Sequence, residues 1–158
     1  MIKITFPDNT VKEFSEGITP FDIAMGISPR LAQNTLSAKV NGTIIEVNRK
    51  ILNDSSLQLL TWNDNEGKST FWHSTAHLMA EALEIFYPGV KFGIGPPVEN
   101  GFYYDVDLGG MEISINDLEK IEAKMLDLAR QKNKYIRKEV TKAEAIRYFT
   151  QKGDEYKL

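Results

Sequence analysis

Apolar and polar residues alternate at the start of the chain. Ile2, Ile4 and Phe6 fall on one face, Lys3 and Thr5 on the other, the period of two that marks a half-buried strand. Pro7-Asp8-Asn9-Thr10 is a turn, since Pro fixes φ and Asx side chains close turns locally. Val11 to Phe14 is the returning strand. Thr19-Pro20 and Ser28-Pro29 each set an N-cap residue before a Pro at the first helical position, which predicts two short helices. Lys39-Val40 and Thr43-Ile44-Ile45 flank Asn41-Gly42, the pair suited to a type I′ hairpin because that turn needs φ > 0 twice. Asn53 to Ser56 is a further turn, and Leu57, Leu59 and Thr61 alternate as a closing strand. Strands, a short helical region and more strands within the first 62 residues predict a small α+β, grasp-like sheet.

Asn63-Asp64-Asn65-Glu66-Gly67-Lys68 has no apolar member, so 63–68 is read as a linker between a first domain, 1–62, and a second, 69–158. The pattern then changes to helical. Trp72, Ala76, Met79, Leu83 and Phe86 recur at steps of three and four and predict a helix from Ser69 or Thr70 to about Tyr87, stopped by Pro88-Gly89. Lys91 to Val98 and Phe102 to Leu108 read as two strands around Asn100-Gly101, the first made irregular by Gly93, Gly95, Pro96 and Pro97. In the second strand Tyr103, Asp105 and Asp107 share one face, with Phe102, Tyr104 and Val106 on the other. Ser114 with Asp117, and Thr141 with Glu144, are capping-box patterns for two further helices. Leu118, Ile121, Met125 and Leu128 form the apolar stripe of the first, and Gly153 stops the second. Tyr135 to Val140 is predicted as a strand. No repeat or low-complexity stretch interrupts this order.

Composition narrows the class. The chain has 158 residues, 42% hydrophobic and 26% charged, with a net charge of -3. No apolar run approaches the ~18 residues of a membrane helix. The start carries no basic region followed by an apolar stretch, as a signal peptide would. There are no cysteines and two histidines, so a disulfide framework is excluded. A cytoplasmic location is the expectation. The charge is uneven: residues 1–62 are neutral, 63–113 carry -6 and 114–158 carry +3. An acidic middle and a basic end matter if the partner is a polyanion.

The residue types that can carry chemistry are few. His73 and His77, at i and i+4, share one helix face with Cβ atoms about 6 Å apart, at the edge of the predicted stripe. They could be two half-buried surface histidines or part of a cleft. A metal site is the weaker reading. His-Ser-Thr-Ala-His lacks the Glu that a zinc protease places after its first His, and zinc needs at least three protein ligands. Lys157 stands near the end, where spacing alone assigns it no role. Tyr104 reads as a core aromatic with its hydroxyl at the rim. Arg130, Lys132, Lys134, Arg137 and Lys138 gather five cations, which suit a solvated helix end or a phosphate backbone. Gly93-Ile94-Gly95-Pro96-Pro97 is not a phosphate loop, because no Lys-Ser/Thr follows and Pro removes backbone donors.

These motifs together resemble a known family. Ile4-Thr5-Phe6-Pro7-Asp8, Ala38-Lys39-Val40-Asn41-Gly42 and Asp54-Ser55-Ser56-Leu57 resemble a TGS domain, a ubiquitin-like β-grasp module. His73-Ser74-Thr75-Ala76-His77-Leu78, Gly93-Ile94-Gly95-Pro96 and Asn100-Gly101-Phe102-Tyr103-Tyr104-Asp105-Val106 resemble the editing domain of bacterial-type threonyl-tRNA synthetases. In that order they cover essentially all 158 residues. The resemblance implies an α+β chain: a TGS domain followed by the first part of an editing (second additional) domain. The family pairs its His-x-x-x-His with a later Cys-x-x-x-His, which this chain lacks, so the editing site is expected to be incomplete and the chain inactive by itself.

The resemblance also implies a parent enzyme, a class II aminoacyl-tRNA synthetase. It would join threonine to tRNA(Thr) with ATP, Mg and a catalytic-domain Zn, and would be a homodimer through other domains. No cofactor is expected in these residues. The substrate would be Ser-tRNA(Thr). Serine is threonine less one methyl, and one methyl is worth only about 1–3 kcal/mol of discrimination, hence a second, hydrolytic site. His73 and His77 would position the terminal ribose and a water, Lys157 would polarise the ester and Tyr104 would line the pocket. Two other readings stay open: a free-standing TGS-type RNA-binding or regulatory module, resting on the basic run, and a metal-binding protein using the two histidines.

Overall fold

A computed structural model describes residues 1–133 and 135–157. Contacts divide the chain into two units, Met1–Trp72 and His73–Leu158.

The first unit is a five-stranded mixed sheet with two helices. β1 (Ile2–Thr5) and β2 (Val11–Phe14) form an antiparallel hairpin with Ile2 opposite Phe14. α1 (Pro20–Ile27) follows Thr19, whose side chain accepts from the Asp22 N–H while Asp22 accepts from Thr19 in return, a capping box that satisfies two orphan donors. α2 (Pro29–Asn34) opens on Ser28, which accepts from the Leu31 N–H at 3.0 Å. β3 (Ser37–Val40) and β4 (Thr43–Ile45) are joined at Asn41 and Gly42, both with positive φ, 48° and 80°. β5 (Ser55–Leu60) pairs parallel with β1 and antiparallel with β3, so the strand order is β2-β1-β5-β3-β4. The central place of β5 puts Leu57 and Leu60 among the most deeply buried side chains. Leu57 joins Ile2, Ile4, Ile23, Ala38, Ile45 and Ile51 in the core.

The polar run 63–68, expected as a linker, is helical from Asn65. α3 spans Asn65–Phe86. Asp64 starts it by accepting from the Thr61 N–H at 2.7 Å, and its own carbonyl takes the Lys68 N–H. Glu66 in the first turn pairs with Lys39 on β3. Gly67 has no side chain because a Cβ there would lie 2.0 Å from the Thr61 carbonyl oxygen. A run polar enough for a linker is also polar enough for an exposed first turn. Trp72 lies edge-on to Trp62 and Phe71, ring centroids 5.8 and 5.3 Å away.

The second unit has helices around short hairpins. The buried stripe of α3 runs through Ala76, Ala82 and Leu83 to Tyr87, and Phe86, expected on it, is exposed. The predicted strands 91–98 and 102–108 reduce to four two-residue strands: β6 (Lys91–Phe92) with β9 (Val106–Asp107), and β7 (Pro97–Val98) with β8 (Gly101–Phe102). Between them the backbone bonds continue irregularly, Gly93 N–H to Asp105 O at 2.8 Å and Asp105 N–H to Ile94 O at 3.0 Å. The expected I′ turn at Asn100-Gly101 is displaced by one residue, because Glu99-Asn100 is the turn and Gly101 already pairs in β8, with φ 152°. The two faces survive: Tyr103, Asp105 and Asp107 are exposed, while Phe102, Tyr104 and Val106 are half-buried.

α4 (Ile115–Gln131) and α5 (Lys142–Lys152) both begin with the expected capping boxes. Hydrogen bonds from Ser114 and Lys120 hold the Asp117 carboxyl down at about 2. Ile121 and Leu128 of α4 pack on Leu83, Tyr87 and Phe92, whereas Leu118 is exposed. The strand expected over 135–140 does not form. Tyr135 and Ile136 are 72% and 90% exposed, and no described strand pairs with this segment, so β-branched residues alone do not make one.

Removing the Leu57 side chain from the middle of the sheet leaves a cavity and lost burial. Leu57→Ala is expected to cost about 2–5 kcal/mol in urea unfolding of the 158-residue chain. Ile44→Ala on exposed β4 should stay within about 0.5 kcal/mol.

Candidate active site

Residues four apart on a helix lie one above the other, and α3 uses this to bring two rings together. Nε2 of His73 and Nε2 of His77 are 3.0 Å apart, with ring centroids 4.6 Å apart and planes at 89°. At that distance one nitrogen must donate and the other accept. One ring is therefore the Nε2–H tautomer and its neighbour presents a lone pair. Protonating both would set N–H against N–H. Burial first, then the His73 ring and the Lys157 ammonium, hold His77 below the ordinary imidazole value of 6.5. His77 is thus biased toward its neutral form, in which an imidazole can accept or relay a proton.

Lys157 reaches this region from a short 3₁₀ turn, Glu155–Lys157, just after α5. Its Nζ donates to the Gly93 carbonyl at 3.2 Å. From 80 positions along the chain its ammonium acts electrostatically on His77.

Tyr104 has its own surroundings. Its ring lies 5.2 Å from that of Phe92. The backbone of Gly95 passes beneath it so closely that a Cβ on Gly95 would be 2.7 Å from Tyr104 Cδ2. Burial, then Glu84 and Asp154, push the hydroxyl above its ordinary 10.0, so it remains a protonated donor. The glycines of Gly93-Ile94-Gly95 thus serve two side chains. One offers its carbonyl to Lys157 and the other makes room for Tyr104.

The basic run is dispersed. Arg130 lies in the last turn of α4 and Lys132 is its left-handed cap. Arg137 pairs with Glu139 at 2.7 Å, and Lys138 is exposed in the irregular segment. Lys134 lies outside the described residues. Among the described residues no group of three or more His, Asp or Glu could hold a metal ion. Sequence reasoning missed the partners of Tyr156, whose hydroxyl donates to Asp107 Oδ2 at 3.3 Å. Alternation puts Asp107 on one face with Tyr103 and Asp105, but nothing in the pattern joins it to a residue 49 positions away.

The family model for the TGS domain matches residues 2–61, the span of β1 to β5 with α1 and α2. Residues 2–61 are similar to TGS domains. His73, His77, Tyr104 and Lys157 lie beyond that span, and for them the similarity comes from whole-chain relatives. The chain is 62% identical over 158 residues to the threonine–tRNA ligase of Cytophaga hutchinsonii. It is 55% identical over 157 residues to that of Parabacteroides distasonis and 56% over 159 to that of Porphyromonas gingivalis. The matches take in 99–100% of this chain. The chain spans 24% of the length of these relatives. The similarity to threonine–tRNA ligases therefore runs along residues 2–61 and the second unit alike.

Two outcomes follow from the geometry. Because folding lowers the His77 pKa, the unfolded chain takes up the proton first as pH falls. The contribution of neutral His77 to stability is complete above 6.5 and is lost below it. Thermal melts from pH 8 to 5 should show a steeper loss for the wild-type chain than for His77→Gln. Gly95→Ala should displace the Tyr104 ring, seen as altered Tyr104–Phe92 contacts by NMR, with about 1–3 kcal/mol of destabilisation.

Proposed function

We propose that this chain is the TGS-plus-editing region of a threonine–tRNA ligase, and that its second unit contributes to hydrolysis of mischarged Ser-tRNA(Thr). The observation that carries this reading is the His73–His77 pair, Nε2 to Nε2 at 3.0 Å, with a lysine cation acting on His77. The long-chain similarity to threonine–tRNA ligases supports the choice of tRNA. On this reading residues 69–158 belong to the editing domain.

Ester hydrolysis needs a placed water, a route for its proton and stabilisation of the negative charge that grows on the carbonyl oxygen. Water adds to the seryl carbonyl, the bond to the ribose oxygen breaks, serine leaves as its carboxylate and the ribose regains a hydroxyl. The paired histidines orient the ribose and the water, and the accepting nitrogen carries the proton. The Lys157 ammonium favours the developing oxyanion. Tyr104, protonated and half-buried, lines the pocket and donates. The family site includes a Cys-x-x-x-His pair besides these residues, so the described groups form one half of it. Attachment of threonine with ATP and Mg, the catalytic Zn, dimerisation and a cytoplasmic setting belong on this reading to the whole ligase. The described residues offer no three-ligand set for a metal, and no step here passes through one.

The test is deacylation of Ser-tRNA(Thr) by a full-length ligase carrying this chain. His73→Ala and His77→Ala should each lower hydrolysis by about 10²-fold or more and leave threonine attachment intact. The 158-residue chain alone should not hydrolyse the ester above the buffer rate. Hydrolysis that survives both substitutions would remove this reading.

A further inference from the structure

We infer that Tyr156 is a positioning residue for Lys157, held in a clamp made by Asp107 and Lys91 so that the neighbouring ammonium stays beside the histidine pair. The inference rests on the editing reading above and names a part of that site's construction.

The clamp is built into the smallest sheet. Lys91 of β6 and Asp107 of β9 are direct partners across the antiparallel pair, so their side chains emerge side by side. One offers a cation and the other a carboxylate. Tyr156 uses both. Its hydroxyl donates to Asp107 Oδ2 at 3.3 Å, and Lys91 Nζ stands 5.9 Å from its ring centroid. Asp107 is itself fixed, since its Oδ1 accepts the Gly109 N–H at 2.9 Å. A tyrosine 57% exposed gains little direction from burial. Its direction comes from these two contacts.

Lys157 is the next residue on the same 3₁₀ turn, where successive side chains are separated by about a third of a turn. Fixing the ring of Tyr156 therefore fixes the direction in which Lys157 leaves. The backbone is prepared for it: Gly153, with φ 70°, ends α5, the Asp154 N–H returns to Phe149 O at 3.0 Å, and the Lys157 N–H bonds Asp154 O at 3.3 Å. Lys157 Nζ then meets the Gly93 carbonyl, one residue beyond β6. Both ends of the device are thus anchored to the β6–β9 pair. The groups acting on His77 are its α3 neighbour His73 and, from this turn, Lys157.

The test is the NMR titration of His77 in the 158-residue chain, which needs neither tRNA nor turnover. Lys157→Met should raise the His77 pKa toward its ordinary value. Tyr156→Phe, which keeps the ring, and Tyr156→Leu, which removes it, should move it the same way, Leu further than Phe and neither beyond Lys157→Met. The double variant Tyr156→Leu with Lys157→Met should shift His77 no further than Lys157→Met alone, because Tyr156 acts through the lysine. Unchanged titration in either Tyr156 variant, or additive shifts in the double variant, would overturn the clamp; so would a Lys157→Met titration matching wild type. Backbone amide spectra confirm that each variant is folded. Should the ligase fail to deacylate Ser-tRNA(Thr) while these shifts are found, the editing reading falls and the clamp stands.

Discussion

Two imidazole nitrogens 3.0 Å apart share one proton between them. That constraint governs the chemistry available to the second unit. It forces opposite roles on the facing nitrogens of His73 and His77, one donating and the other accepting. Burial and one cation act on the pair's His77 member. The helix supplies the spacing, partial burial removes water that would stabilise a charge, and Lys157 adds repulsion against protonation. A carboxylate at the position of Lys157 would have the opposite effect, drawing the pair toward the charged form.

What holds the scaffold is mostly local. Three helices start on reciprocal side-chain to backbone bonds, at Thr19, Ser114 and Thr141. In the second unit the strands are two residues long, and continuity is carried instead by single backbone bonds around Gly93 and Gly95. This irregularity is useful. The Gly93 N–H bonds the Asp105 carbonyl, while the Gly93 oxygen accepts from Lys157. A regular side chain at residue 95 would occupy the space that the Tyr104 ring fills.

The legible parts of this chain were those decided within a few residues. The β1–β2 hairpin, the Asn41-Gly42 turn and the capping boxes depend on φ, on side-chain reach and on period, all of which sequence carries. The His73–His77 face follows from four-residue spacing alone. The misreadings share a cause, which is competition by partners far along the chain. Residues 65–68 look like a linker until Lys39 and Thr61 are seen to hold them as a first helical turn. Tyr135 to Val140 have strand composition, but no described strand pairs with them. Phe86 fits the stripe by count, yet Tyr87 takes the buried place because Phe92, Ile121 and Leu128 gather there. Tyr156 and Asp107 were invisible for the same reason, their meeting being a property of how α5 returns to the sheet.

Segment charge misleads about the site in an instructive way. The histidines lie in the stretch of net charge -6, which by itself suggests protonated rings. The side chain acting on His77 from beyond its own helix is instead Lys157, delivered from the basic end of the chain. The acids act elsewhere: Glu84 and Asp154 bear on Tyr104 and keep its proton on. The fold thus sorts charge so that a base is kept unprotonated and a phenol is kept protonated, both neutral at pH 7. Separated environments of this kind are how one fold keeps an acceptor and a donor at the same pH. On the proposed editing reading, the Lys157 cation, anchored on the Gly93 carbonyl, suits a reaction whose reactant is an uncharged ester and whose transition state is an oxyanion. The cation is then worth most where charge appears, in the transition state rather than the bound ester.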